Sequence, residues 1–139
     1  MTGASSGIGK ATAIEFARTA SPDPIKIIVS ARRLNALEEL KKAIEEKYTN
    51  AKVYPVKLDV SHSDEIRKFV QNLPKEVQEI DILVNNAYAH DECFSIDVSG
   101  LVKGIDKVGE IPEEDIKVMF DTNVHGLINV PPTFLHIAF

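Results

Sequence analysis

The sequence contains no tryptophan, a single cysteine and only 6% aromatic residues in its 139 residues. Because the lone Cys93 has no second cysteine to pair with inside the chain, nothing here indicates an oxidising compartment. Long apolar runs are also missing, since the longest, such as Ile27 to Val29, fall far short of the roughly 20 residues of a membrane span. No charged and then apolar leader opens the chain. We therefore expect a cytoplasmic protein with no membrane partner.

An excess of positive charge is missing as well. The net charge is -5 and no basic stripe occurs, which argues against nucleic acid as a partner. With 44% hydrophobic and 27% charged residues, the chain is long enough for one ordinary core. These values predict one folded domain, or part of one.

A glycine-rich stretch, TGASSGIG from Thr2 to Gly9, is the strongest motif. Its glycines have the spacing G-x-x-x-G-x-G just before a helical pattern, which is typical of a loop that binds a dinucleotide. We expect Gly3 to permit a tight turn, Gly7 to let the backbone approach a pyrophosphate, and Gly9 to allow close packing of the helix. The alternative is a solvated Ser/Gly turn without a ligand.

Strand and helix patterns alternate along the rest of the chain, which predicts an α/β fold with parallel crossovers. Contiguous or alternating apolar residues predict strands over 25–30, 53–58 and 80–84. Apolar residues at helical spacing predict the buried faces of four helices: Ile8, Ala11, Ile14, Phe16 and Ala17; Leu34, Leu37, Leu40, Ile44 and Tyr48; Ile66, Phe69, Val70 and Leu73; and Ile116, Met119 and Phe120. Ser61 to Asp64 offers caps for the third helix, and Pro112 suits the start of the fourth.

Five short motifs follow one another in a fixed order: TGASSGIG, SARR at Ser30 to Arg33, LDV at Leu58 to Val60, NNA at Asn85 to Ala87, and TNV at Thr122 to Val124. In this order the chain resembles the short-chain dehydrogenase/reductase family, and its run ARRLNALEELKKAIEEKYTNAKV resembles the NADP-dependent 3-hydroxy acid (serine-type) dehydrogenases. The resemblance extends from Thr2 to about Val130, with a gap at 88–99. It covers only about the first half of a family domain.

The resemblance implies a partial Rossmann-type doubly wound parallel sheet, with the first strand and the C-terminal half missing. We thus interpret residues 1–139 as an incomplete NADP-binding domain, with an insertion at 88–99 and a tail at 131–139 that does not resemble the family. Joining Ala87 to Gly100 would restore the family's NNAG, so we expect the insertion and tail to come from non-coding sequence. Pro131 and Pro132 should interrupt the helix that begins near Gly126. A strand at 80–84 without neighbours predicts that the isolated chain does not fold stably.

NADP is the cofactor that the resemblance implies. No carboxylate stands at the end of the second family strand, where NAD enzymes need one, and Arg32, helped by Arg33, would bind the 2′-phosphate instead. The alternative is that both arginines are solvated charges at a helix start. The remaining residues implied to contact the cofactor are Gly3, Ser5, Ser6, Gly7, Ile8 and Gly9 in the loop, Asp59 and Val60 at the adenine, and Asn86 and Ala87 along the cleft. Tyr88 stands where the family has glycine, so a side chain is present where the nicotinamide end would approach.

Asn123 matches the asparagine of the family's catalytic tetrad, although it could also be only a kink residue between two helices. The family's catalytic serine and Tyr-x-x-x-Lys pair are not found at matching positions. One literal Tyr-x-x-x-Lys occurs at Tyr48 and Lys52, but the pair needs one continuous helix, and here Lys52 begins a strand. We interpret it as a coincidence.

No metal site is expected. His90, Asp91, Glu92 and Cys93 are capable of binding metal but lack a second ligand pair at a recognisable spacing. Two functions stay open. The first is an NADP-dependent oxidoreductase acting on a small hydroxy acid or alcohol, whose full-length relatives form homo-oligomers and of which this fragment alone is inactive. The second is a non-catalytic cofactor-half fragment that only binds nucleotide or a related subunit.

Overall fold

The computed structural model describes residues 1–88 and 112–135, and for 132–135 it describes the backbone only. Five α-helices and two β-strands occur in these ranges. They are α1 (Gly7–Ala20), β1 (Ile25–Ala31), α2 (Leu34–Lys47), β2 (Ala51–Lys57), α3 (Ser63–Phe69), α4 (Glu113–Phe120) and α5 (Leu127–Leu135). A short 3₁₀ helix covers Lys75–Val77, and a π-helical turn over Asp121–Gly126 joins α4 to α5.

The sheet consists of β1 and β2, which pair in parallel with Ile25 opposite Ala51 and Ala31 opposite Lys57. Helix α2 forms the crossover between them, as the alternating pattern predicts. On the other edge of β1, Thr2 forms an isolated parallel bridge to Ser30. We expected the first strand to be missing altogether. Residues 1–4 instead occupy the position of its carboxyl end.

The strand predicted over 80–84 does not form, so that prediction was wrong. The segment runs beside residues 1–4 and makes one ladder-type hydrogen bond, from the Thr2 amide to the Val84 carbonyl at 3.0 Å. A strand needs a neighbour along its length, and here the neighbour is only a few residues long. Apolar residues of the segment still contribute to the core, because Ile80 and Leu83 pack against it, whereas Ile82 is exposed.

The buried face of α1 consists of the small residues Gly9, Ala13 and Ala17. The predicted face is confirmed in part, because Ala17 is buried and Ile14 and Phe16 pack partly buried against the core. Ile8, which was also predicted to lie inside, is 78% exposed. The fully buried residues are spaced at i, i+4 and i+8, which places them on one side of the helix.

Two apolar clusters form the core. The first contains Ala4, Ala13, Ala17, Ile27, Val29, Ala31, Leu37, Leu40, Ile44, Ala51 and Val53. The second contains Leu58, Val60, Ile66, Phe69, Val70, Leu73, Val77 and Val130. The predicted stripe of α3 and the following turn is confirmed, as are the central residues of α2. Leu34 is instead 40% exposed, because it begins the helix at the edge of the sheet.

The predicted buried face of α4 is wrong, because no residue of that helix is buried. Ile116 and Phe120 are exposed, whereas the buried Val130 of α5 belongs to the same apolar cluster as residues of α3. The prediction that Pro131 and Pro132 end the helix is also wrong, since α5 continues to Leu135. Proline keeps a helical φ, and the carbonyls that lose a donor and are crowded by the two rings belong to Leu127 and Ile128, which are exposed residues.

The cap expected for α3 is not a side-chain cap. His62 occupies the N-cap position and makes no capping hydrogen bond, while the hydroxyl of Ser61 binds elsewhere. Pro112 does precede α4 directly, as predicted. The insertion at 88–99, apart from Tyr88, and the end of the tail from 136 lie outside the described residues. Within the described ranges, no helix has the length and apolar character for crossing a membrane.

The amino group of Met1 is held inside this fold. It donates a hydrogen bond to the Ile28 carbonyl at 2.7 Å, and the Met1 carbonyl accepts one from the Ser30 amide at 2.9 Å. Burial lowers the pKa of this amino group from 8.0 to about 6. The folded chain therefore favours the uncharged amine, because a buried ammonium loses hydration.

We predict that the chain beginning at Met1 loses stability as the pH falls from 8 to 6. The unfolded chain binds a proton in this window that the folded chain does not, and at about 1.4 kcal/mol per pKa unit the loss is of the order of 2–3 kcal/mol. Urea unfolding between pH 8 and 6, in the presence of the osmolyte TMAO, which favours burial, would measure this loss in the free energy of unfolding. The control is the same chain acetylated at Met1, which carries the same histidines. Equal pH dependence of both chains would contradict the prediction.

Candidate functional site

The glycine-rich loop adopts the backbone that its sequence predicts. Gly3 has φ +66° and Gly7 has φ +54°, both in the left-handed region that L side chains rarely adopt. These two positive values let the chain turn sharply from the end of the short bridge at Thr2 into the first turn of α1. Among residues 1–88 and 112–135, no atom lies within 4 Å of a β-carbon added at Gly7, so this part of the loop is open to a ligand.

Gly9 is required for a different reason, which is contact. A β-carbon at Gly9 would lie 2.4 Å from the Gly3 carbonyl oxygen and 2.5 Å from Nδ2 of Asn86. Helix α1 therefore packs directly on the backbone of the loop. The predicted close packing at Gly9 is present, and it places the start of α1 under the loop.

A group of hydrogen bonds ties the loop to the segment 85–87. The hydroxyl oxygen of Thr2, a buried residue, accepts hydrogen bonds from the amides of Asn86 at 3.0 Å and Ala87 at 2.9 Å. The side-chain amide of Asn86 donates to the carbonyls of Thr2 and Gly3, at 3.3 and 3.2 Å. Two distant stretches of sequence are thereby held in van der Waals contact, and a β-carbon on Gly3 would lie 2.8 Å from the Ala87 Cα.

The first turn of α1 has the properties of an anion site. Ser6 occupies the N-cap position but its side chain makes no capping hydrogen bond, and the first turn contains no acidic residue. Amides at the start of a helix lack intrahelical acceptors and carry the positive end of the dipole. Together with the open space at Gly7, this arrangement fits a diphosphate group.

Arg33 lies over the loop. Its guanidinium donates to the hydroxyls of Ser5 at 3.3 Å and Ser6 at 3.0 Å. Arg32 is exposed, and its charge contributes to lowering the pKa of Asp59. The structure thus brings Arg33, rather than Arg32, into contact with the loop.

Asp59 follows β2 at the same edge of the sheet. Burial disfavours its charged form, but hydrogen bonds from the hydroxyl and amide of Ser61 more than offset this and hold the pKa of Asp59 below its usual value. Its own amide donates to Glu65 Oε2 at 2.9 Å, which ties the loop to α3. Asp59 is therefore an ionised acceptor that lies beside the predicted cofactor loop.

Asn123 lies in the π-helical turn between α4 and α5, where its side-chain amide is 3.9 Å from the Met119 sulfur. The turn is anchored by Gly126, whose added β-carbon would lie 2.7 Å from the Val60 carbonyl oxygen. The predicted catalytic asparagine thus belongs to a helix pair that packs on the Asp59–Val60 loop. Nearby, Asp121 accepts from Lys117 and lies 3.1 Å from His125 Nδ1, and these contacts lower the pKa of Asp121.

Tyr48 and Lys52 do not form a catalytic pair. Tyr48 is the residue after α2, and Lys52 lies in β2, where its ammonium group pairs with Glu76 Oε1 at 3.0 Å. The interpretation of this match as a coincidence is confirmed. Tyr88 is 61% exposed and follows Ala87 directly, at the end of the first described range. The metal-capable run at His90–Cys93 lies outside that range.

Three residues make contacts at the site that the sequence analysis did not assign to them: Thr2, Ser61 and Gly126. Ser61 had a usable signal, because a serine two residues after an aspartate is typical of an Asx turn. Thr2 and Gly126 had none. Their roles depend on contacts with residues 84–87 and with Val60, which no local pattern predicts.

Comparisons with known proteins agree on this architecture. A family model described as short chain dehydrogenase matches residues 1–137. The NADP-dependent 3-hydroxy acid dehydrogenase of Schizosaccharomyces pombe is 41% identical over 139 residues, which are 100% of this chain and 48% of that protein. The crystal structure of serine dehydrogenase from Escherichia coli has a TM-score of 0.72 at 31% identity, covering 97% of this chain and 53% of the other. A closed form of serine dehydrogenase complexed with NADP+ has a TM-score of 0.71 at 31% identity, covering 98% and 48%. The chain thus spans about half the length of these relatives.

We predict that Gly9→Ala disrupts the fold more than Gly7→Ala. At Gly7 the methyl group has room, so the cost is only that of a left-handed φ, about 1–2 kcal/mol. At Gly9 it would overlap a backbone carbonyl that cannot move without shifting the loop, at a cost of about 3 kcal/mol or more. Urea unfolding of both variants, followed by circular dichroism in TMAO, would rank them. The reverse order would contradict the geometry described for the loop.

Proposed function

The chain belongs to the short chain dehydrogenase family, and from that premise we propose that it forms the NADP-binding half of an oxidoreductase. The reaction is hydride transfer between the nicotinamide ring and the hydroxyl- or carbonyl-bearing carbon of a small hydroxy acid or alcohol. The names of the similar proteins, which include an NADP-dependent 3-hydroxy acid dehydrogenase and a serine dehydrogenase, support this substrate class.

The proposal rests on an open glycine loop at the start of α1, together with the two arginines, Arg32 and Arg33, at the end of β1. A dinucleotide places its pyrophosphate at such a loop and its adenosine ribose at the end of the next strand. There Arg32 and Arg33 can pair with a 2′-phosphate, which only NADP carries. An acidic residue, which would favour the free 2′-hydroxyl of NAD, is missing from Ser30 to Arg33.

Each group of residues has a distinct part in this function. The first-turn amides of α1 bind the pyrophosphate, with Ser5, Ser6 and Ile8 lining the approach. Asp59 and Val60 bind the adenine, while Asn86 and Ala87 hold the loop and border the cleft. When bound, NADP supplies the hydride acceptor or donor. Asn123 would organise a water molecule in the proton relay.

The alternative is a non-catalytic fragment that only binds nucleotide or a related subunit. The separation of Tyr48 from Lys52 favours this alternative for the chain taken alone, because within the described residues no tyrosine and lysine lie together on one helix. Without a positioned general acid, a rate contribution of roughly 10²- to 10⁴-fold is lost. Both candidates share the nucleotide site and differ in turnover.

The wider setting follows from the same proposal. We place the protein in the cytoplasm, where NADP and small hydroxy acids are dissolved. We also propose that its full-length relatives act as homo-oligomers.

We predict that residues 1–139 bind NADPH more tightly than NADH, by about 10- to 100-fold, the range for charge-assisted hydrogen bonds. Arg32→Asp should invert this preference, because a carboxylate repels the 2′-phosphate and accepts from a free 2′-hydroxyl. Fluorescence titration with each nucleotide gives the ratio of dissociation constants. This ratio does not depend on how much of the free chain is folded, since both ligands meet the same folding equilibrium.

Lys42→Asp is the matched control, because it makes the same charge change at an exposed position about two turns into α2. It should leave the ratio unaltered. If Arg32→Asp also leaves the ratio unaltered, Arg32 does not select the cofactor. If neither nucleotide binds the unmodified chain, the proposed site itself is wrong.

We further predict that residues 1–139 alone oxidise neither serine nor 3-hydroxybutyrate with NADP+. The expected absorbance change at the NADPH band equals that of a blank, and Asn123→Ala behaves identically. Turnover that Asn123→Ala abolishes would contradict the prediction and would favour a complete active site in this chain.

A further inference from the structure

Within the described residues, hydrogen bonds hold only one of the two oxygens of the Asp59 carboxylate. Its Oδ1 accepts two hydrogen bonds from Ser61, one from the hydroxyl at 2.7 Å and one from the backbone amide at 3.0 Å. Among residues 1–88 and 112–135, Oδ2 has only a longer contact, 3.6 Å to Nδ1 of His62. A carboxylate has about four acceptor positions over its two oxygens, so Oδ2 can still accept from a ligand.

The surroundings of Asp59 restrict how it can turn. Its side chain is 25% exposed, and its amide is bound to the Glu65 carboxylate. The Asx turn with Ser61 therefore restricts the side-chain torsions of Asp59, while the bond to Glu65 holds its backbone. His62 Nδ1 also lies 3.3 Å from the Ser61 oxygen, on the exposed side of the turn.

We propose that Ser61 is a positioning residue for base selection: by occupying Oδ1 of Asp59, it directs Oδ2 toward the exocyclic amine of adenine. This inference rests on the proposed NADP site. Adenine presents an amine donor at this position, whereas hypoxanthine presents a carbonyl oxygen. A carboxylate oxygen accepts from the amine and is repelled by the carbonyl, so a fixed Oδ2 selects one base against the other.

The test compares NADPH with its analogue in which hypoxanthine replaces adenine. The unmodified chain should prefer NADPH by about 10- to 100-fold, the range for a hydrogen bond to a charged acceptor. Ser61→Ala leaves only the backbone amide on Oδ1, and it should lower this preference by about three- to tenfold. Ser61→Thr keeps a hydroxyl and should retain the preference. Ser63→Ala, the same chemical change on an exposed residue two positions later, should leave it unchanged.

The base preference distinguishes a positioning role from an effect on stability, because a variant that merely destabilises the fold weakens the binding of both nucleotides equally. If NADPH binds and Ser61→Ala keeps the full preference, the inference is wrong while the nucleotide site stands. The inference is equally wrong if Ser61→Thr loses as much preference as Ser61→Ala, since the effect would then come from packing. If the unmodified chain binds neither nucleotide, the proposed function fails and the inference fails with it.

Discussion

The hydroxyl of Thr2 is the contact on which the site depends. It accepts hydrogen bonds from the backbone amides of Asn86 and Ala87. The side-chain amide of Asn86 in turn donates to the carbonyls of Thr2 and Gly3. Because all of these groups are at least partly buried, losing Thr2 would leave two amides without an acceptor, at about 1–3 kcal/mol each. The glycine loop, the start of α1 and the cleft border keep their relative positions through this one cluster of bonds.

The loop is therefore positioned by contacts on both sides of the short bridge at Thr2. On one side the Ser30 carbonyl accepts a hydrogen bond from the Ala4 amide, and on the other the Val84 carbonyl accepts one from the Thr2 amide. Gly3 and Gly9 remove the side chains that would keep these backbones apart. A second close contact, Gly126 on Val60, places the helix of Asn123 against the loop of Asp59. Glycines at backbone crossings thus determine where both halves of the candidate site lie.

The sequence predicted the elements that depend on local pattern and failed where a neighbour decides the outcome. The periodicity of α2 and the β1–α2–β2 crossover follow from apolar spacing, and both are present. The strand at 80–84 and the buried face of α4 had equally clear patterns, but a strand needs a paired backbone and an apolar helix face needs a surface to cover it. In the same way, Gly126 became visible as a site residue only once Val60 was placed beside it.

If NADP binds as proposed, its phosphates lie at the start of α1, between the loop and the two arginines. An amide NMR titration of the isotopically labelled chain with NADP+ would show this. We expect the largest shifts at the amides of Gly3 to Gly9, followed by those of Arg32, Arg33, Asp59 and Val60. Saturation with NADP+ that leaves the amides of the loop unshifted, or that shifts mainly α4 and α5, would contradict it.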